Sequence, residues 1–551
     1  MALLLDLFGF LSVVLRGLTL TAQSLTVGGV AFLLSLADPL AGDFAASAVV
    51  VTRRCRLLLG WSAIALAIIA AISILIEGLI LADTVDLTAS ETVGAGFVLA
   101  GMAVVVSSVG IAWLSLHDRD RSSANLRLLA LAAIILIAQT TTSHAAAQID
   151  NRLALVAADL LHQAAAAVWI GGIPYLLIAL TKCRDGMAWR CIGKRFSHMA
   201  MVSVAVLVVA GLVMAVLYTG SIAALYGTTY GVMVATKVAL LGFLLLLGGM
   251  NYLMVERYTG ASATPRLRLR RFGEAEIGIG LTLFFAAASL TSLPPAVDLP
   301  SERVSVPEIA ERMLPQWPRL SSPDHGDLAI PALQAKLDAE AKHDTHKSQA
   351  FVPGAGDLPP RNAEDVAWSE YNHHWSGLVV LAIGLLALGE RSGYAKWARN
   401  WPLLFLALAG FLFLRSDPET WPLGDIGLIE SLRDPEVVQH RIFVLLIIGF
   451  AIFEWRVRTG RTASPRAALA FPLITALGGA LLLAHSHAVI NAKEQLLIEL
   501  SHVPLALLGV AAGWARWLEL RLDPPAGRIA AWVWPVCLVL VGLVLLNYRE
   551  A

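Results

Sequence analysis

Apolar stretches close to 20 residues long recur along the chain, each able to cross about 30 Å of hydrocarbon as a helix. They fall at roughly 10–37, 57–82, 93–116, 126–147, 152–180, 197–218, 230–254 and 275–293, then at 375–390, 400–415, 440–455, 470–489, 495–517 and 529–547. Unpaired backbone is too costly in lipid for anything but helices or closed barrels, and runs of this length select helices. The pattern therefore predicts an all-α, polytopic transmembrane helix bundle of about fourteen spans, in groups of eight and six. It also predicts an eight-helix domain over 1–293, a polar linker over 294–374 and a six-helix, histidine-rich domain over 375–551. The first stretch contains Arg16 and Gln23 and shows no small-residue cleavage site, so it reads as a retained span.

Composition agrees with the pattern. Of 551 residues, 57% are hydrophobic and only 15% charged, with a mean hydropathy of +0.70, far from the balance of a soluble domain. The formal net charge is zero, which argues against a nucleic-acid partner because a phosphate-binding surface needs an excess of Lys and Arg. Four cysteines, with no CxxC spacing, do not make a disulfide framework. No phosphate-cradling glycine loop, phosphorylated-Asp motif or soluble nucleotide domain is visible, so ATP-driven pumping is not expected.

Lys/Arg bias orients the spans. Arg53, Arg54 and Arg56, then Lys182 to Arg195, then Arg257 to Arg271 occupy alternate loops of the first group. Arg391 to Arg399, Arg456 to Arg466 and Arg516 to Arg528 do the same in the second. These loops are expected in the cytoplasm, and the neutral or acidic loops between them outside. Both termini and the 294–374 linker then face the extracytoplasmic side. The linker's proline-rich start and acidic content leave room for one short amphipathic helix near 331–342, and its His325, His343 and His346 read as solvated.

Within that geometry, His144, His162, His373, His374, His440, His485, His487 and His502 all map to the outer half of the membrane. Imidazole is the commonest transition-metal ligand, and ionisable groups inside spans are expensive enough to mark function. His162 lies ten residues past Arg152, about 15 Å deep at about 1.5 Å per residue. Asp159 precedes it by three residues, on the same helical face, where it is expected to fix the tautomer of a metal-binding imidazole; a plain helix-packing pair is the alternative. The second half repeats the order: Asn151, Asp159 and His162 are echoed by Asn491, Glu499 and His502. Tandem His373 and His374 differ by about 100° around a helix, so one of them is expected to face inward.

Several of these residues sit in a wider pattern. The run His162-Gln163-Ala164-Ala165-Ala166-Ala167-Val168-Trp169-Ile170-Gly171-Gly172 is followed by Arg195-Phe196-Ser197. Tyr226-Gly227 and Tyr230-Gly231 then precede Lys237, Asn251 and the Glu276 span that ends in Leu293-Pro294-Pro295. This resembles the CopD/PcoD copper-resistance membrane proteins over roughly residues 1–300. From about 368 the chain resembles the C-terminal extension of long CopD-like proteins. That likeness is carried by Asn372-His373-His374-Trp375, the Asp417 to Gly424 stretch and Gln439-His440-Arg441.

The resemblance implies a multi-pass protein of the bacterial cytoplasmic (inner) membrane that takes copper from periplasm to cytoplasm. It implies a periplasmic CopC-like copper-binding partner, with His144 and His162 as copper ligands, and import of this kind leaves room for a cytoplasmic copper acceptor. No Met follows Met313, so the second half offers imidazole and carboxylate rather than soft thioethers, which favours Cu(II), a mixed copper site or haem iron there. The alternative function is therefore a b-type haem redox protein with axial pairs such as His440 with His502, or His144 with His162, exchanging electrons with copper or quinone. Glu77 and Lys237 are further intramembrane charges that can line a polar path. Cys55, Cys183 and Cys191 lie at the expected cytoplasmic side, where they are candidate exit thiols for Cu(I).

Overall fold

The computed structural model describes residues 2–39, 45–85, 91, 94–117, 121–183, 186–256, 264–299, 303–323, 329–344, 362–483, 492–524 and 526–550. Regular structure among them is helical, apart from one isolated bridge between Thr420 and Ile426. In chain order the helices are α1 (Ala2–Phe32, continued by a π turn over Leu33–Ala37), α2 (Ala45–Val85), α3 (Gly96–His117), α4 (Arg121–Thr141), α5 (His144–Ala147), α6 (Arg152–Trp169) and α7 (Ile173–Lys182). They continue as α8 (Gly186–Thr219), α9 (Ile222–Gly227), α10 (Thr229–Glu256), α11 (Thr264–Leu290), α12 (Val306–Met313) and α13 (Ala329–Asp344). The last are α14 (Ala363–Ser392), α15 (Leu404–Arg415), α16 (Leu428–Ser431), α17 (Pro435–Arg458), α18 (Ala470–Leu482), α19 (Ala492–Arg521) and α20 (Arg528–Leu546).

Twelve described helical segments are long and apolar enough to cross a membrane. The two remaining expected spans coincide with shorter apolar helices, Asn125–Thr141 and Ala467–Leu482. The helix expected near 331–342 is α13. The segment read as linker holds more order than its composition suggested, because α12 and the first turns of α14 also lie in it. α14 starts at Ala363, not near 375: Asn362 caps it by accepting the Glu364 N–H at 2.9 Å, and Glu364 and Asp365 sit in its first turn, where carboxylates oppose the helix dipole. A hydropathy window misses these turns since they are polar. α12 opens with a capping box in which the Glu308 carboxylate accepts the Ser305 N–H at 2.6 Å. Those bonds, with Lys493 at 3.1 Å, hold the Glu308 carboxyl down to about 2.

The chain divides into two compact units, one of 8–225 with 233–300, the other of 1–7, 226–232 and 301–551. In the first, α1 and α11 are central, with 67% of their apolar windows buried, whereas α8 buries only 17% and presents the rest outward, as a lipid-facing helix does. The α6–α7 junction packs against α1 through glycine: a Cβ on Gly171 would lie 1.9 Å from the Ser24 carbonyl oxygen. The Tyr175 hydroxyl then donates to the Leu25 carbonyl at 2.9 Å, and Phe32 stacks on the Tyr175 ring.

In the second unit, α14 and α20 cross closely, since a Cβ on Gly384 would meet the Val539 nitrogen at 2.6 Å. Around Trp401, Phe471 and Trp534 an aromatic core forms at the arginine-rich end of the spans. Arg458 lies 4.5 Å over Trp401 while binding Glu390 and Glu454, each at 2.9 Å. Glu519 collects Arg391, Arg516 and the Trp534 indole N–H. Every one of these charges is paired, as a partly buried ion cluster requires.

Candidate metal-handling sites

The first unit holds a polar cluster inside its spans. Asp159 is 8% exposed. It accepts the Gln163 amide at 3.0 Å, Gln163 in turn accepts from Gln23 at 2.9 Å, and Arg16 donates to Gln139 at 2.7 Å. Asp159 acts as an opposite charge on both Arg16 and Lys237, and Glu77 does so on Arg16. α1, α4, α6 and α10 thus each contribute to one charge-compensated group around a single buried carboxylate.

His162 stands beside this cluster but is not oriented by its acid. Its Nδ1 donates to the Leu207 carbonyl on α8 at 3.1 Å, and Gly211, one turn on, leaves the ring space: a Cβ there would lie 3.1 Å from His162 Cε1. A ring that donates from Nδ1 carries its lone pair on Nε2, the form a metal ligand needs. Asp159 and His162 share a helical face as their spacing requires, yet the expected direct support of imidazole by acid is replaced by a backbone carbonyl from the neighbouring helix. His144 begins the short helix α5, and its Nε2 is 2.7 Å from the Thr291 carbonyl oxygen.

In the second unit two imidazoles meet. His373 and His502 lie edge to face, ring centroids 6.4 Å apart. His373 Nδ1 donates to the Ser369 carbonyl at 2.8 Å and His502 Nδ1 to the Ile498 carbonyl at 3.0 Å. Each uses the carbonyl one helical turn back, so both rings carry the Nε2 lone pair. Glu499 is buried next to His502, but it is again a carbonyl that takes the imidazole N–H. Tandem His374 turns the other way. Its Nε2 donates to the Tyr548 carbonyl at 2.8 Å and its Nδ1 accepts the Arg319 N–H at 2.7 Å, so both nitrogens are engaged by backbone.

The segment after α20 completes this site, and hydropathy alone gave no hint of it. Tyr548 is 1% exposed and stacks on His373; its hydroxyl donates to the Glu550 carboxylate at 2.7 Å, and Ser369 donates to the same carboxylate. Burial, reinforced by that carboxylate, pushes the phenol's ionisation well above its usual range. Arg312 donates to the carbonyls of Arg549 and Glu550, tying the segment to α12. A Tyr-Arg-Glu run directly after the final apolar span was the available signal. Arg16, in mid-span, was the corresponding signal in the first unit.

His440 opens outward, 40% exposed, with Nδ1 2.7 Å from Asp417. Burial alone would raise the Asp417 carboxyl, but hydrogen bonds from His440 and Ser416, with the charges of His440 and Arg441, outweigh it and hold the group below the usual aspartate range. His485, His487 and Asn491 lie outside the described residues. Among the described residues no three His, Cys, Asp or Glu side chains form a ready metal cage. Cys55 and Cys183 are buried and Cys191 half-buried.

An all-helical chain with a dozen membrane-length helices and ionisable groups held inside them is a multi-pass membrane protein. Residues 191–290, which run from α8 into α11, match the family model of copper resistance protein D. The copper transport protein CutJ of Bacillus subtilis (strain 168) is 32% identical over 166 residues, 29% of this chain and 29% of that protein. Over these residues the chain is similar to the CopD family of copper resistance proteins, and the matched part spans less than a third of this curated relative. Lys237, Asn251 and Glu276 fall within the family match, while Asp159 and all the histidines of the second unit fall outside it. No solved structure matches the chain.

Proposed function

We propose that this protein transports copper across the inner membrane, from the extracytoplasmic side to the cytoplasm, with His373 and His502 as its copper-holding pair. The observation that carries this reading is the pair itself. Two rings in contact both donate from Nδ1 to a carbonyl, which selects the tautomer whose Nε2 is the metal-ligating nitrogen. Imidazole suits copper in either oxidation state, and the second half has no thioether to compete. Copper is the substrate suggested by the family and by the printed name of CutJ.

On this reading the chain crosses the membrane about fourteen times, with both termini and the 294–374 segment outside. His440, exposed above Asp417, captures the ion on the outer face. His162, with Nε2 available beside the Asp159 cluster, serves the first unit. A periplasmic CopC-like protein delivers the metal and a cytoplasmic acceptor receives it.

Copper titration of the purified protein with parallel metal analysis and an absorption spectrum tests the assignment. Wild type should bind copper, and His373→Ala and His502→Ala should each reduce the affinity at least tenfold without loss of folded protein. Unchanged affinity in both variants would remove the pair from the site. A strong Soret band would shift the reading to the b-type haem alternative. Uptake of radioactive copper into right-side-out and inverted vesicles tests the direction.

A further inference from the structure

We propose that the cavity of about 480 Å³ bounded by Ser35, Leu36, Lys194, Arg195, His198 and Met199 in the first unit binds an anionic phospholipid. Its wall is chemically divided. Lys194, Arg195 and His198 present cationic or hydrogen-bonding heads along one turn of α8, and Ser35 adds a hydroxyl from the π turn that ends α1. Leu36 and Met199 line the remainder with aliphatic surface. A phosphodiester on the basic side and an acyl chain on the apolar side match both parts at once, and a small hydrophilic anion matches only the first.

The location supports the assignment. The cavity lies where the charged start of α8 gives way to its apolar window, only 17% of which is buried. Glu256, at the end of α10, binds Lys194 at 2.9 Å and is also in charge contact with Arg190 and His198. One carboxylate is thus in charge contact with several basic groups. Basic pockets between helices at a membrane face are where anionic headgroups dock. The inference does not depend on the copper reading.

Native mass spectrometry of the full chain, delipidated and then exposed to phosphatidylglycerol or phosphatidylcholine, tests it. Wild type should retain phosphatidylglycerol at least fivefold better. Arg195→Gln with His198→Gln should bring the two lipids to parity. Met199→Trp keeps every charge but fills the apolar side, and it should also lose retained lipid while melting in detergent at the wild-type temperature. Equal retention of both lipids by wild type, or an unchanged preference in both variants, overturns the proposal. Millimolar inorganic phosphate is the control for a free-anion site. If phosphate displaces the lipid completely and Met199→Trp has no effect, the site takes phosphate and not lipid.

Discussion

His373 lies face to face with Tyr548, ring centroids 3.8 Å apart and planes 19° from parallel, while His502 meets the same tyrosine edge-on at 5.8 Å. One phenol ring thus touches both imidazoles, and its hydroxyl is bound to Glu550. Stacking and hydrogen bonding can be separated by substitution. Tyr548→Phe keeps the stack and loses one hydrogen bond, a cost of about 1 kcal/mol. Tyr548→Ala removes a ring that is 1% exposed and should cost about 3–5 kcal/mol. Unfolding in detergent with copper titration measures both. Copper affinity should stay within about threefold of wild type in the Phe variant, at under 1 kcal/mol, and fall in the Ala variant. Equal losses would mean that the hydroxyl, and not the ring, supports the site.

Asp159 acts as an opposite charge on Arg16 and Lys237, so its removal should be felt through charge before any effect on metal. Asp159→Asn removes an opposite charge that both Arg16 and Lys237 sense, and without a direct ion pair to break the cost should be about 1 kcal/mol. Lys237→Met in the same chain should recover part of that loss, because one of the stranded charges is then gone. A double-mutant cycle by unfolding in detergent measures the coupling. Strict additivity of the two substitutions would show that Lys237 and Asp159 do not compensate each other.

The helices of this fold are legible in the sequence because each must satisfy its own backbone in lipid, and that demand writes a run of apolar residues. Their side-chain partners are not legible. Periodicity places Asp159 and His162 on one face, but it cannot say that His162 reaches across to Leu207 while Asp159 takes Gln163. The tandem histidines illustrate the same limit. A separation of about 100° predicts that only one faces inward, and His373 does face His502 while His374 binds backbone. Which of the two it would be depends on α14 meeting α20 and the Tyr548 segment, contacts from residues more than 150 positions away in the chain. Polar first turns hid the true start of α14 for a related reason, since capping chemistry rather than hydropathy begins that helix.

The Asp417–His440 contact carries a pH signature. A carboxyl held lower in the folded chain than in the unfolded one adds stability above its unfolded value of about 3.9, and the contribution fades as pH falls through the folded value. The hydrogen bonds and charges around Asp417 give it that sign. Arg441 links the same region, donating to Thr420 and to the Trp421 carbonyl. Amide protection factors across 416–434, with the intrinsic pH dependence of exchange divided out, should therefore be high at neutral pH and fall as pH drops below about 4. In Asp417→Asn the segment should exchange faster at neutral pH and lose most of that acid dependence. A wild-type acid response in the variant would assign the effect to other groups.

Exposure of the cysteines sets a limit on how copper could leave. Cys55 has no exposed surface and Cys183 is 3% exposed, whereas Cys191, on α8, is half-buried. A thiol accepts a metal or an electrophile as its thiolate and only where it can be reached. Brief treatment of the folded protein with a maleimide should modify Cys191 first, with Cys55 and Cys183 following only under denaturing conditions. If Cys191 is an exit ligand, Cys191→Ser should slow copper release to an external thiol chelator and leave copper binding at the His373–His502 pair unchanged. Cys55→Ser should alter neither. Labelling of Cys55 as fast as Cys191 would mean that this end of the first unit opens in solution, and the three thiols would then have to be considered together as one acceptor.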